Sequence, residues 1–412
     1  MEERLPAELL ELVRKAGEVA ASQGQRLYLV GGAVRDLLLG QPSLDLDLVV
    51  EGHAPELARH LARAWGGEVL AHPHFGTAKF RRGELSIDLV TARSETYSRP
   101  GALPNVKPGS IDDDLLRRDF TINAMAIHLD PASYGELVDP YHGRGDLDQR
   151  LIRILHPKSF VDDATRILRA LRYEQRLDFQ LEATTAELLR QDTPMLEGIT
   201  GDRIRHELEL ILREVYPGKA LVRAQELGVL ARIHPSLRGD SWLAERFGEA
   251  RELTPGTPPE PSLYLCLLIY RLSKEDNELL IRRLRMAKAT ARTMRDTLTL
   301  KSELPALAEP CLPPSSIYRL LEHYSPAALL ANALASDSPL VRQRLHLFLD
   351  ELRYVKLSLN GEDLKRLGAP PGPGLGRTLQ ALHEAKLDGE AKTRQEEEEL
   401  VGRWLRLVKD DS

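Results

Sequence analysis

Two aspartates one residue apart, Asp45 and Asp47, follow a glycine turn in the segment LYLVGGAVRDLLLGQPSLDLDLVV. Along a strand, residues i and i+2 project from the same face, so LDLDLVV sends its leucines one way and both carboxylates the other. Adjacent carboxylates resist ionising together unless a cation lies between them. Hard oxygen donors that leave coordination positions for substrate phosphates suit Mg2+, which makes Asp45 and Asp47 candidate metal ligands. A half-buried strand with a polar outer face is the plain alternative. The preceding turn weighs against it. Gly31 and Gly32 close the apolar run 27–30, and 34–39 then reads as a short helix. Backbone N–H groups at a glycine turn that opens a helix form an anion site. Arg35, in the first turn, can add a charge-assisted bond to a phosphate oxygen. A phosphate cradle one short helix away from a carboxylate pair implies nucleotidyl or phosphoryl transfer.

Other candidates follow along the chain. In GELSIDLVTAR, Ser86, Asp88 and Val90 share one face, so Asp88 is a candidate third acid for two-metal chemistry; facing water or an arginine is its alternative. In IDDDLLRRDFTINAMAIH, Arg117 and Arg118 could reach a triphosphate or a ribose, and Asp119 and Asn123 beside them are further nucleotide-binding candidates; a charged helix end followed by a buried segment is the alternative. In FVDDATRILRALRYEQRLDF, Arg166, Arg169 and Arg172 recur every third residue, and the spacing predicts that Asp163 meets Arg166 across one helical turn. A salt-bridged surface helix would explain this. So would a protein template for a nucleobase, in which Asp163 accepts from the exocyclic amine of cytosine or adenine and Arg166 donates to the ring acceptors. Uracil and guanine would present oxygen to that carboxylate and be refused. Farther on, Arg285, Lys288, Arg292 and Arg295 are expected on one face of a single helix, either solvated or contacting RNA phosphates.

The elements that must carry these residues are strands at 27–30, 45–50, 68–70, 78–81, 86–90 and 124–128, with helices at 6–22, 34–39 and 55–65. The stretch 95–116, rich in Pro, Gly and Ser, reads as a long functional or mobile loop. After Asp146 strand signals stop, and amphipathic helices follow, parted by Pro/Gly punctuation. The fold class is therefore an α/β head on an all-helical body. The acidic run 396–399 reads as a solvated helix face. The 412 residues are 42% hydrophobic and 29% charged, ordinary for a globular protein. No run approaches the ~18 apolar residues of a membrane span, and the amino-terminal sequence resembles no secretory or transit signal. Two cysteines, Cys266 and Cys311, supply neither a disulfide framework nor a zinc cluster, which suits a cytoplasmic setting. The net charge of −6 means that a nucleic-acid partner must be met by a local basic surface.

Taken in order, GGAVRD, DLD, RRDFTINAMA, DPYHGRGDLDQRLIRIL, DDATRILRALR and TGDRIRHELELIL resemble class II tRNA nucleotidyltransferases, the bacterial CCA-adding enzymes and poly(A) polymerases. The resemblance spans roughly 25–215. It implies an α+β protein: a polymerase-β-like nucleotidyltransferase head with a small mixed sheet (1–140), then helical neck (141–215), body (216–305) and tail (306–412). It also implies addition of C and/or A from CTP and ATP to the 3′ end of tRNA. Enzymes adding only CC or only A, poly(A) polymerases and a non-catalytic RNA-binding relative are the alternatives. On this resemblance Asp45 and Asp47 hold Mg2+, Gly31, Gly32, Arg35 and Arg118 contact the triphosphate, and Asp163, Arg166, Arg169 and Arg172 line the base pocket. Where the family has Glu-Asp, this chain has Asp162-Asp163, and Asp162 is expected to brace Arg166. No obligate protein partner and no membrane association are implied.

Overall fold

Alternating apolar residues build a mixed sheet in the amino-terminal part of the chain. In the computed structural model, which describes residues 4–41, 46–99, 101–102, 104–253 and 256–410, the strands are β1 (Arg26–Val30), β2 (Asp47–Glu51), β3 (Glu68–His72), β4 (Thr77–Arg82), β5 (Leu85–Thr91), β6 (Arg93–Thr96), β7 (Asn105–Pro108), β8 (Ala126–His128) and β9 (Leu137–Val138). Seven of them form one sheet in the order β3-β4-β5-β2-β1-β8-β9. Only β2 and β5 run parallel, in a register that sets Asp47 beside Asp88. Leu48, Val50, Phe80, Ile87 and Leu89 are fully buried or nearly so; they alternate with the residues of the opposite, site-bearing face. The helices of this part are α1 (Ala7–Ser22), α2 (Gly32–Leu39), α3 (Ala54–Trp65), α4 (Ile111–Leu116), α5 (Gly143–Asp148), α6 (Ser159–Asp162), α7 (Thr165–Arg176), α8 (Ala183–Asp192), α9 (Gly201–Leu212) and α10 (Pro217–Glu226).

Three expectations change here. The stretch 95–116 is not an irregular loop: β6 and β7 pair as an antiparallel ribbon, and α4 follows, started by a reciprocal Ser110–Asp113 capping box. Strand structure does not end at Asp146, since Leu151–Ile152 and Gln180–Leu181 pair in parallel. The strand expected at 124–128 starts at Ala126, because Thr121–Asn123 forms a tight 3-10 turn before it.

The chain divides into units 1–235 and 236–412. Residues 1–140 and 141–215, expected as separate domains, both fall in the first unit, and α10, expected in the body, packs on α7, with Arg223 donating to the buried Glu174 at 3.0 Å. Among the described residues the second unit is helical throughout. Helices Pro261–Ile269, Pro314–Leu321, Pro326–Ala335 and Pro339–Asp350 each begin on proline, which fits a position whose N–H has no helical partner. Glu397, expected on a solvated face, is fully buried; it accepts from the Ser358 and Leu359 N–H groups and pairs with Lys386. Among the described residues no helix is long and apolar enough to cross a membrane.

Candidate active site

The chain leaves β1 at Gly31 with φ 71°, a left-handed conformation that favours glycine. A Cβ there would also stand 2.5 Å from Nη1 of Arg118. The turn into α2 thus requires glycine, and a Cβ would in addition push the Arg118 guanidinium aside. The cleft beside this turn, about 490 Å³, is lined by Gly32, Asp47, Arg118, Asp119, Asn123, Asp163, Arg166 and Arg169, together with Glu95, Tyr97, Arg117, Thr165 and Tyr173. Gly31, Arg35, Asp88 and Arg172 stand outside that lining, and Asp45 lies outside the described residues.

Three of the cleft arginines, Arg117, Arg118 and Arg169, are aimed by acids. Asp114, fully buried in α4, gives Oδ1 to Arg117 at 2.7 Å and Oδ2 to Arg118 at 2.9 Å. Arg117 also reaches Glu95 on the ribbon at 3.3 Å. The Asp119 carboxylate accepts from Asn123 at 3.0 Å and from Arg169 Nε at 2.8 Å. Burial is the largest influence on Asp119 and pushes its carboxyl up, but Arg169 and the Asn123 hydrogen bond outweigh it, so the group stays below the usual carboxylate range. On Tyr97, burial and then Glu95 push the phenol up to about 12, so it remains a hydroxyl donor at neutral pH, here to Glu95 at 3.0 Å.

Arg35 and Arg172 brace the site from behind. Arg35 is 3% exposed; it donates to Asp36 at 2.8 Å and Asn123 at 2.7 Å. Arg172 pairs with Glu207 at 3.3 Å. The Tyr173 ring gathers Arg35, Arg169 and Arg172 at 5.3, 5.7 and 5.1 Å, close enough for cation–π attraction.

The expected Asp163–Arg166 pair does not form. Asp163 ends α6 in an extended conformation, so it precedes α7 instead of riding on it. Its Oδ1 accepts from the Thr165 N–H at 3.0 Å, the Thr165 hydroxyl at 2.7 Å and Arg203 at 2.7 Å. Arg166 donates to the Ser159 hydroxyl at 2.6 Å and to the Arg117 carbonyl at 2.7 Å. Asp162 does not brace it, lying instead 3.9 Å from His156. Burial first, then Arg166, lowers the His156 pKa, so that ring is neutral at pH 7.

The metal expectation rests on donor chemistry. Asp47 and Asp88 offer hard oxygens from adjoining parallel strands, a set that suits a divalent ion sharing substrate phosphate. Asp88 is bonded to Lys79 at 3.0 Å. Among the described residues no three His, Cys, Asp or Glu side chains form a metal cage.

The basic strip expected on one helix is interrupted. Helix Lys274–Arg283 ends before it, and Arg285 adopts φ 50° in the turn that follows. The Met286 N–H returns to the Ile281 carbonyl across this turn, the closure normally made with glycine. Lys288, Arg292 and Arg295 belong to the next helix, Lys288–Glu303. Arg295 there is bound twice by Glu278, at 2.5 and 2.9 Å.

Sequence reading missed Glu95, Tyr97, Asp114, Tyr173, Arg203 and Glu207. For Asp114 a signal existed, because Asp114 to Arg117 and Arg118 is the i, i+3 and i, i+4 spacing of helical ion pairs.

This geometry has known counterparts. Residues 27–153 match the family model of the poly A polymerase head domain. Residues 178–240 match that of the probable RNA and SrmB-binding site of polymerase A. An A-adding tRNA nucleotidyltransferase of Halalkalibacterium halodurans is 36% identical over 96% of this chain and 92% of its own length. The chain belongs to the tRNA nucleotidyltransferase family. It is therefore an enzyme of nucleotidyl transfer, in a family that generally uses a divalent metal. An A-adding tRNA nucleotidyltransferase of Aquifex aeolicus is 38% identical over 87% of this chain, which spans only 44% of that relative. A CC-adding tRNA nucleotidyltransferase of Deinococcus radiodurans is 34% identical over 96% of this chain and 93% of its own length. The solved Thermotoga maritima CCA-adding enzyme complexed with tRNA superposes with a TM-score of 0.79 at 34% identity, covering 98% of this chain and 97% of that one.

Proposed function

We propose that the protein extends the 3′ end of tRNA without a nucleic-acid template, transferring C or A from CTP or ATP and releasing pyrophosphate, with Mg2+ as its metal and the cytoplasm as its setting. The observation that carries the base choice is the state of Asp163. Its Oδ1 is taken up by Thr165 and Arg203, while Oδ2 accepts from no described residue and the carboxylate lines the cleft. An acceptor fixed in this way suits the exocyclic amine of cytosine or adenine. The bonds to Ser159 and the Arg117 carbonyl hold Arg166 rigid and leave its Nε–H for a ring acceptor.

In the transfer, the terminal ribose hydroxyl attacks the α-phosphate in line and pyrophosphate leaves. Asp45, Asp47 and Asp88 would hold the metal, which when bound lowers the pKa of the attacking hydroxyl and offsets developing charge. Arg118, aimed by Asp114, and the Gly32 N–H at the start of α2 receive the phosphates; the Gly31 N–H is taken by the Met125 carbonyl at 3.2 Å. The protein's share is mainly positioning. Lys288 and Arg292 remain candidates for contact with RNA phosphates.

For the product, addition of the terminal A alone is favoured, since two relatives at 36% and 38% identity are A-adding and the CC-adding relative is at 34%. The test is incubation with tRNA transcripts ending before CCA, after C and after CC, each with labelled CTP or ATP. A single A added only to the transcript ending in CC is expected. Incorporation of C would make the enzyme CC- or CCA-adding, long A tails a poly(A) polymerase, and no incorporation would end the transferase reading.

A further inference from the structure

The third candidate acid of the site is already engaged. Lys79 on β4 is the cross-strand partner of Asp88 on β5, and its ammonium donates to Oδ2 of that carboxylate at 3.0 Å. Asp88 stands in turn beside Asp47 on β2. The two acids and the lysine therefore form one row across three strands, each about 4.8 Å from the next. An ion pair facing across two strands stabilises a sheet modestly wherever it lies. This one has a further consequence, because it lies one strand from Asp47. We propose that Lys79 takes the place of a second metal ion at Asp88, so that the centre built on Asp45, Asp47 and Asp88 binds one divalent ion where three acids could hold two.

The proposal rests on the reading of nucleotidyl transfer above and on its metal. Two-metal centres hold their ions about 3.5–4 Å apart, and Mg2+ demands near-octahedral oxygen coordination. Donors, space and charge all limit this centre to one ion. Among the described residues no third His, Cys, Asp or Glu joins Asp47 and Asp88, and one oxygen of Asp88 is spent on Lys79. An ammonium 3.0 Å from Oδ2 fills the space that an ion bound to that oxygen would need. Before a triphosphate enters, one dication and one ammonium balance the three carboxylates. A second dication would add excess charge beside a fixed cation, where repulsion is steepest. Lys79 is thus a positioning residue that acts through Asp88. It leaves Oδ1 as the donor Asp88 can give to the ion shared with Asp47.

The test counts ions on the full chain. Mn2+ stands in for Mg2+, and the paramagnetic resonance signal of the free ion is titrated with an unreactive ATP analogue that carries a methylene between the α and β phosphorus atoms. Protein is kept in excess over the analogue. Wild type is expected to bind one Mn2+ tightly per complex. Lys79→Met, which keeps the length of the side chain and removes its charge, should bind two, the second roughly tenfold or more tighter than any second ion on wild type. Lys79→Arg, which restores a cation, should return the count to one. Melting curves show whether each variant is folded, and the wild-type count tests the proposal by itself. Two tight ions on wild type, one on a folded Lys79→Met, or none on either would overturn it. Counting needs no turnover. A protein that gives the expected counts yet extends no RNA would sink the transferase reading and leave the role of Lys79 standing.

Discussion

Single carboxylates carry most of the chemistry, and each has a different task. Asp163, which lines the cleft, commits one oxygen to Thr165 and Arg203 and leaves the other without a partner among the described residues. Asp163→Ala removes that acceptor and also relieves its repulsion of uracil and guanine oxygens. Loss of a hydrogen bond to a charged group costs about 1.5–3 kcal/mol, so efficiency with ATP should fall roughly tenfold to a hundredfold while UTP and GTP gain relative to it. Arg203→Gln should shift the same ratio less, because Thr165 still holds Oδ1. Efficiencies for all four nucleotides on one tRNA would decide this; a uniform loss would remove Asp163 from base choice. Asp119 has a structural task. Its carboxyl is held below the usual range in the folded protein, so its stabilisation is complete above the unfolded pKa of about 3.9 and is lost as pH falls through the lower folded value. Asp119→Asn should cost about 1–3 kcal/mol at pH 7, and the gap from wild type should close in acid below pH ~4. Melting curves against pH check this, and a gap constant with pH would refute it.

At the level of elements, what could be read from the sequence was set by how local the determining contacts are. Strands β1 to β5 and helices α1 to α3 lie where apolar runs, alternation and apolar spacing predict them: β4 and β5 bury alternate residues, and β1 is an apolar run buried on both faces. The ribbon β6–β7 escaped notice because neither strand alternates, β7 being exposed throughout and β6 half-buried along most of its length; it is held by pairing and by Glu95, whose partner Arg117 lies 22 residues on. The broken strip at 285–295 failed for a different reason. Its apolar stripe has helical spacing throughout, and only a left-handed arginine, Arg285, marks the break. Within the site, the residue types were legible and their pairings were not. Arg169 finds Asp119 fifty residues away, Arg35 finds Asn123, and Asp163 finds Arg203 on α9. Spacing reports neighbours along one helix and is blind to partners on another. The buried Glu397 makes the same point, since EEEE looks solvated until Lys386 and two backbone N–H groups take one member in.

For the molecule as a whole, charge is the property that must be reconciled with the partner. A chain of net charge −6 meets a polyanion only where cations are gathered and left unneutralised. Many of its arginines are already spent on acids within the fold, as Arg117, Arg118 and Arg169 are. Binding of tRNA should therefore depend on a small set of exposed cations, and each phosphate neutralised contributes about 0.7–0.9 to the slope of log K against log salt. Lys288 belongs to that set. Arg295 does not, because Glu278 binds its guanidinium twice and a phosphate would have to displace a carboxylate. Lys288→Gln should accordingly lower the salt slope by close to one unit, while Arg295→Gln should leave it unchanged. Filter binding or fluorescence anisotropy with one tRNA from roughly 50 to 200 mM salt resolves a difference of that size. Equal slopes for wild type and both variants would remove the 288–295 helix from the RNA surface and assign the contacts to cations elsewhere in the chain.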